Sequence, residues 1–136
     1  MNYAGEEDGM SDEDDLYIPE DAGLQTHQQL LALVENRIAE TARKVTQYKV
    51  DRGNARALYD DLLSTAKIVA IEKHSLKPAH QTLINAYANA DADVKIAKQA
   101  WLLAKAMETK AVDRLEQLQG QRDTLKALVK SHHSSW

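Results

Sequence analysis

Residues 59–87 read YDDLLSTAKIVAIEKHSLKPAHQTLINAY, and Pro78 within them divides two runs of one hydrophobic repeat. Upstream the row is Leu24, His27, Leu31, Val34, Ile38, Thr41, Val45, Tyr48, Arg52, Ala55, Tyr59, Leu62, Ala66, Val69, Lys73 and Leu76. Downstream it is Leu83, Tyr87, Ala90, Val94, Ala97, Trp101, Ala104, Glu108, Ala111, Leu115, Leu118, Arg122, Leu125 and Val129. Both rows advance by alternating steps of three and four, the period of a coiled-coil seam and not of a strand. The link Lys73-His74-Ser75-Leu76-Lys77-Pro78 is short, which forces the helices on either side to lie antiparallel. The expected fold is therefore all-α: a long antiparallel helical hairpin, a two-helix coiled coil.

Helix one is expected from about Gly23–Thr26 to about Ser75, capped by Asp21 or by Thr26 with Gln29 three positions on. Helix two is expected to open at Pro78, whose missing N–H has no partner in a first helical turn anyway, and to close near Lys130. Arms of this length make a rod of about 75 Å at the rise of an α-helix. Gly53 and Gly120 each cost on the order of 1 kcal/mol relative to alanine inside a helix. The seam keeps phase across both, so a kink is expected there and not a loop. Among antiparallel registers, pairing numbers that sum to about 156 sets Trp101 against Ala55 and Tyr59 against Ala97, large on small. In that register Arg52 faces Ala104, Glu108 faces Tyr48 and Arg122 faces Val34.

The chain has 136 residues, enough for one domain. Its 43% hydrophobic content includes no Phe and much Ala, which suits helices in close contact. Without Cys, disulfides and thiolate metal sites are excluded. No apolar run is long enough to span a bilayer and the start is acidic, so an intracellular, cytoplasmic setting without membrane is expected. The net charge of −4 conceals a split. Residues 1–21 carry nine acids and no Lys or Arg, and the remainder carries an excess of five positive charges. High charge with little apolar content predicts a disordered acidic tail over 1–22, with Leu16-Tyr17-Ile18 as a short apolar island able to dock. The expected organisation is that tail, a hairpin over 23–131 turning near 74–78, and a flexible end at 132–136.

Catalytic chemistry finds no foothold in the pattern. His74 and His80 flank the turn with no acid between Glu72 and Asp91, and His132–His133 lie near the end, so no set of metal ligands converges. His27 stands on the seam, where a polar residue sets register. Asp60–Asp61 and Asp91 with Asp93 are too close in sequence to face each other on a helix, and read as solvated faces. The five glycines are scattered and form no phosphate loop. A non-enzyme without cofactor or metal is the expectation.

Two surfaces stand out instead. Basic residues Arg37, Arg43, Lys44, Lys49, Arg52 and Arg56 line helix one, and Lys95, Lys98, Lys105, Lys110 and Arg114 line helix two. Lys49 with Arg56 and Lys98 with Lys105 are spaced by seven, so they stack into stripes fit to follow a phosphate backbone. The plainer reading of those charges is helix solubilisation, with Glu40–Lys44 as an i,i+4 pair. Apolar residues also leave the seam: Leu58, Leu63, Ile84 and Val112 flank it, and Ile68, Ile96 and Leu103 lie outside it. A two-helix hairpin cannot cover them all, which predicts a partner, the simplest being a second copy in a helical bundle.

The first functional expectation is a coiled-coil interaction or assembly protein that presents helix faces to itself or to another protein. The second is a nucleic-acid-binding accessory protein whose basic stripes are masked by the tethered acidic tail. The third is a nucleic-acid mimic of the kind a virus would encode, using that tail to occupy a basic channel of a host enzyme.

Overall fold

The structure is a computed structural model that describes residues 16–134. Among these residues it is all-α, with no strand: α1 spans Leu24–His74, α2 Gln81–Ala90 and α3 Ala92–Ser134. The predicted tail falls for its greater part on residues 1–15, outside the described residues; of the flexible end predicted over 132–136, residues 132–134 are helical and 135–136 lie outside the described residues. The chain divides into two compact units. One comprises the described residues up to Val45 together with those from Thr109 onward; the other is Thr46–Glu108.

α1 runs unbroken through Gly53–Asn54, and α3 through Gly120. A Cβ added at either glycine would meet nothing within 4 Å, so neither is there for close packing. α1 stops at a left-handed residue, Ser75 (φ 53°), and the Leu76 N–H donates to the Ile71 carbonyl at 3.0 Å. That is the six-to-one bond of a helix C-cap, with serine where glycine is usual. Pro78 then opens a turn, not a helix. The His80 N–H donates to the Lys77 carbonyl at 2.8 Å, and the Lys77 N–H donates to His80 Nδ1 at 3.1 Å. Proline's fixed φ serves the second position of such a turn, so helix formation waits until Gln81.

The second departure from expectation is a break at Asp91. Its backbone is extended (ψ 133°), which ends α2. Its carboxylate Oδ1 accepts the N–H of Asp93 at 2.9 Å and of Val94 at 3.1 Å, capping α3. The break resets the helical phase. In α2 the buried residues are Ile84 and Ala88, whereas the predicted seam residues Leu83 and Tyr87 stand exposed. Ile84, expected on a partner face, is therefore core. The last turns of α1 bury Ala70 and expose Val69, again one residue off the predicted row. From Val94 on, the expected seam returns: Val94, Ala97, Ala111, Leu118 and Leu125 are all buried. α3 also continues past Lys130 to Ser134, where the Ser134 hydroxyl donates to the Lys130 carbonyl at 3.1 Å.

In the unit Thr46–Glu108 the core gathers Tyr59, Val94 and Ala97, with Leu62, Leu63, Ala66 and Trp101 packed against it. Tyr59 stacks on Trp101 at 5.7 Å between ring centroids, and Arg52 pairs with Glu108. Both pairs sum to 160, a turn beyond the predicted 156, while Tyr59 and Ala97, a predicted pair, share the same core. Long side chains reach a turn along the neighbouring helix, so charge pairing and ring stacking are met beside the packing of large on small.

The other unit buries Val34, Ala111, Leu118 and Leu125, together with three polar residues, His27, Thr41 and Arg114. Arg114 leaves the basic stripe to which the sequence assigned it; its Nη1 donates to Gln117 Oε1 at 3.3 Å. Residues 16–23 lie on this unit. Leu16 and Ile18 are half-buried, the Leu16 carbonyl accepts from Gln121 Nε2 at 3.5 Å, and the Pro19 carbonyl accepts from His27 Nε2 at 2.7 Å.

Candidate interaction surfaces

The basic residues separate into engaged and free-standing groups within Thr46–Glu108. Arg56 on α1 lies 4.4 Å from the centroid of Trp101 and 5.6 Å from that of Tyr59, and its Nε is 3.1 Å from Asp60 Oδ1. Lys105 on α3 brings Nζ to 5.6 Å from the same Trp101 ring. Two of the four residues predicted to follow a phosphate backbone thus meet on one indole. The reason is electrostatic: a ring face is the negative end of a quadrupole, and guanidinium and ammonium groups collect there. Lys49 and Lys98 are exposed, Lys49 on α1 and Lys98 one heptad before Lys105. Tyr59 stacks on the half-buried Trp101 ring and Arg56 lies over it, so these contacts compete with any base for the indole.

The apolar residues separate as well. Leu58 and Ile68 on α1 and Ile96 and Leu103 on α3 are exposed, the last two at 65% each. Leu63 is half-buried against the core, and Val112, in the other unit, is half-buried too. With Ile84 buried, four of the seven predicted partner-face residues remain open to solvent. The sequence row missed Val50, Val69, Leu83, Tyr87 and Leu102, which are exposed as well. For Leu83 and Tyr87 the signal was Asp91: an N-cap residue followed two positions on by Asp93 marks a new helix start and hence a change of phase.

A second periodicity runs along the outside of α3. Ala92, Ile96, Gln99, Leu103 and Ala106 advance by four, three, four and three, and every one is exposed. They lie across the helix from buried Val94 and Ala97. Such spacing is the pattern of a coiled-coil face. Ile96 and Leu103 stand one heptad apart as its bulky residues, and an alanine at each end leaves room for a second helix. Gln99 between them is the polar position of the row, of the kind that fixes register in a helix pair.

Near the turn, the last turns of α1 and the α2–α3 junction border a cleft of about 310 Å³. Leu62, Ala66, Val69, Ala70 and Ala90 make its apolar lining, and Lys73, Asp91 and Asp93 stand among its charged residues. His74 and Tyr87 stack beside it at 3.8 Å between centroids. Asp91 is occupied in capping α3, so the carboxylate pair noted in the sequence serves helix initiation.

Among the described residues no group of three or more His, Asp or Glu could hold a metal ion, and no helix is long and apolar enough to cross a membrane. No family model, curated protein or solved structure matches the chain.

Proposed function

We propose that this protein is a non-enzymatic coiled-coil interaction protein, a long antiparallel helical hairpin that assembles by presenting helix faces to a second copy or to another helical protein. One observation carries the reading. Of the eleven large hydrophobic residues exposed among the described residues, nine fall within Thr46–Glu108. Exposed apolar surface concentrated in one unit is the usual mark of an interaction site. The row from Ala92 to Ala106, with Ile96 and Leu103 one heptad apart, supports a helix as the occupant, because another helix matches a three-and-four spacing over that length.

Nucleic-acid binding ranks behind. Exposed Lys49 and Lys98 favour it, but Arg56 and Lys105 are drawn onto Trp101. Light scattering coupled to chromatography tests the leading reading. A mass at or above twice 15.2 kDa supports self-assembly. A 15.2 kDa particle that also captures no helical protein from its source extract overturns the proposal. Retention on DNA that falls steeply with salt would promote the second reading.

A further inference from the structure

We infer that the two unpartnered edges of the unit Thr46–Glu108 bind each other between copies, the outer face of α3 in one chain taking the outer face of α1 in the next. The inference rests on the self-assembly reading above and fixes which faces meet. The α3 edge is the row from Ala92 to Ala106. A matching row runs along α1. Asn54, Leu58, Asp61, Thr65, Ile68 and Glu72 advance by four, three, four, three and four, and all are exposed. They lie across the helix from buried Tyr59 and Ala70. Each edge therefore sets two bulky apolar residues, Leu58 with Ile68 and Ile96 with Leu103, among small or polar ones.

Charge selects the partner. At 3.6 residues per turn, every Lys and Arg of α1 from Thr46 to His74 falls within about 90° of Tyr59, on the half that turns toward the core. The outer half bears Asp60, Asp61 and Glu72 and no base. Asp60 is tied to Arg56, while Asp61 and Glu72 stand in the row itself. On α3, Lys95 and Lys98 flank the row on one side, and both are exposed. Of the acids on α3 in this unit, Glu108 pairs with Arg52, and Asp93 lies on the opposite flank in the first turn.

Two α3 edges placed together would set lysine against lysine, and two α1 edges carboxylate against carboxylate. An α1 edge on an α3 edge sets carboxylates against ammonium groups. Opposite charges at a rim select the partner, while the apolar residues supply adhesion. Such an interface is heterologous: every added copy leaves one edge of each kind open, so growth stops only when a ring closes.

Edge-specific variants of the full chain test this by light scattering coupled to chromatography. Leu58→Lys with Ile68→Lys disables the α1 edge, and Ile96→Lys with Leu103→Lys disables the α3 edge. All four positions are exposed, and circular dichroism checks that each variant stays helical. Each variant alone is expected at 15.2 kDa, and their equimolar mixture at twice that mass, because one intact edge of each kind remains. A variant that assembles alone, or a mixture that stays at 15.2 kDa beside an assembled wild type, overturns this inference and leaves self-assembly standing. A wild type of 15.2 kDa overturns both, whatever other helical protein it captures. Charge is read separately at low salt. Lys95→Glu with Lys98→Glu is expected to weaken wild-type assembly about tenfold, and Asp61→Lys with Glu72→Lys added to the same chain should restore it. Unweakened assembly, or no recovery, overturns the pairing of the edges.

Discussion

The pairing of Arg52 with Glu108 is where single residues decide the packing of the unit Thr46–Glu108. On a seam both are misplaced charges, and each alone weakens a helix interface. Together they neutralise each other with Glu108 largely shielded from solvent. Replacing Glu108 by Gln is expected to destabilise the chain by about 1 kcal/mol, and a double-mutant cycle with Arg52→Met should return a coupling of about 1 kcal/mol. Urea denaturation measures both; additive effects would mean that the pair does not set the register. The sequence marked both positions as deliberate but assigned them different partners. Side-chain reach explains the difference: an arginine and a glutamate can bridge a turn of offset that a rule based on side-chain volume does not consider.

At the scale of elements, two boundaries bear the departures from expectation. Ser75 takes a left-handed conformation that costs a residue with a Cβ about 1 kcal/mol or more. Ser75→Gly should therefore stabilise the chain by about 0.5 kcal/mol after allowing for the greater freedom of glycine in the unfolded state, a small rise in melting temperature. Asp91 works in the opposite direction. Removing its cap in Asp91→Ala is expected to cost about 1 kcal/mol and to lower the melting temperature by several degrees. Circular dichroism on the two variants should show shifts of opposite sign. The long helices themselves were legible: an uninterrupted three-and-four pattern, without proline, placed α1 to within a residue or two of its bounds. The phase of α2 was not legible, because a repeat counted through Asp91 assumes a continuous helix. Carried back across the cap, the row that holds for α3 falls one residue off the buried face of α2.

For the whole molecule the open question is what covers the exposed apolar rows. Ile96→Lys together with Leu103→Lys places charges on the outer face of α3, away from the Tyr59 core, so folding should survive. If that face joins two copies, the double variant should sediment as a 15.2 kDa monomer with an unchanged helical spectrum while the wild type does not. An assembly of unaltered mass would move the interface to Leu58 and Val69 on α1. The sequence by itself determined the helical class, the turn near Pro78 and the presence of more apolar surface than two helices can bury, because periodicity, proline and composition act locally along the chain. Only tertiary structure decided the register of Arg52 on Glu108, the burial of Ile84 in place of Leu83, and the meeting of His27 with His132 and Pro19. Those outcomes depend on contacts between residues distant in sequence, where charge pairing, ring stacking and hydrogen bonding compete with simple volume matching. No local pattern records which of them prevails.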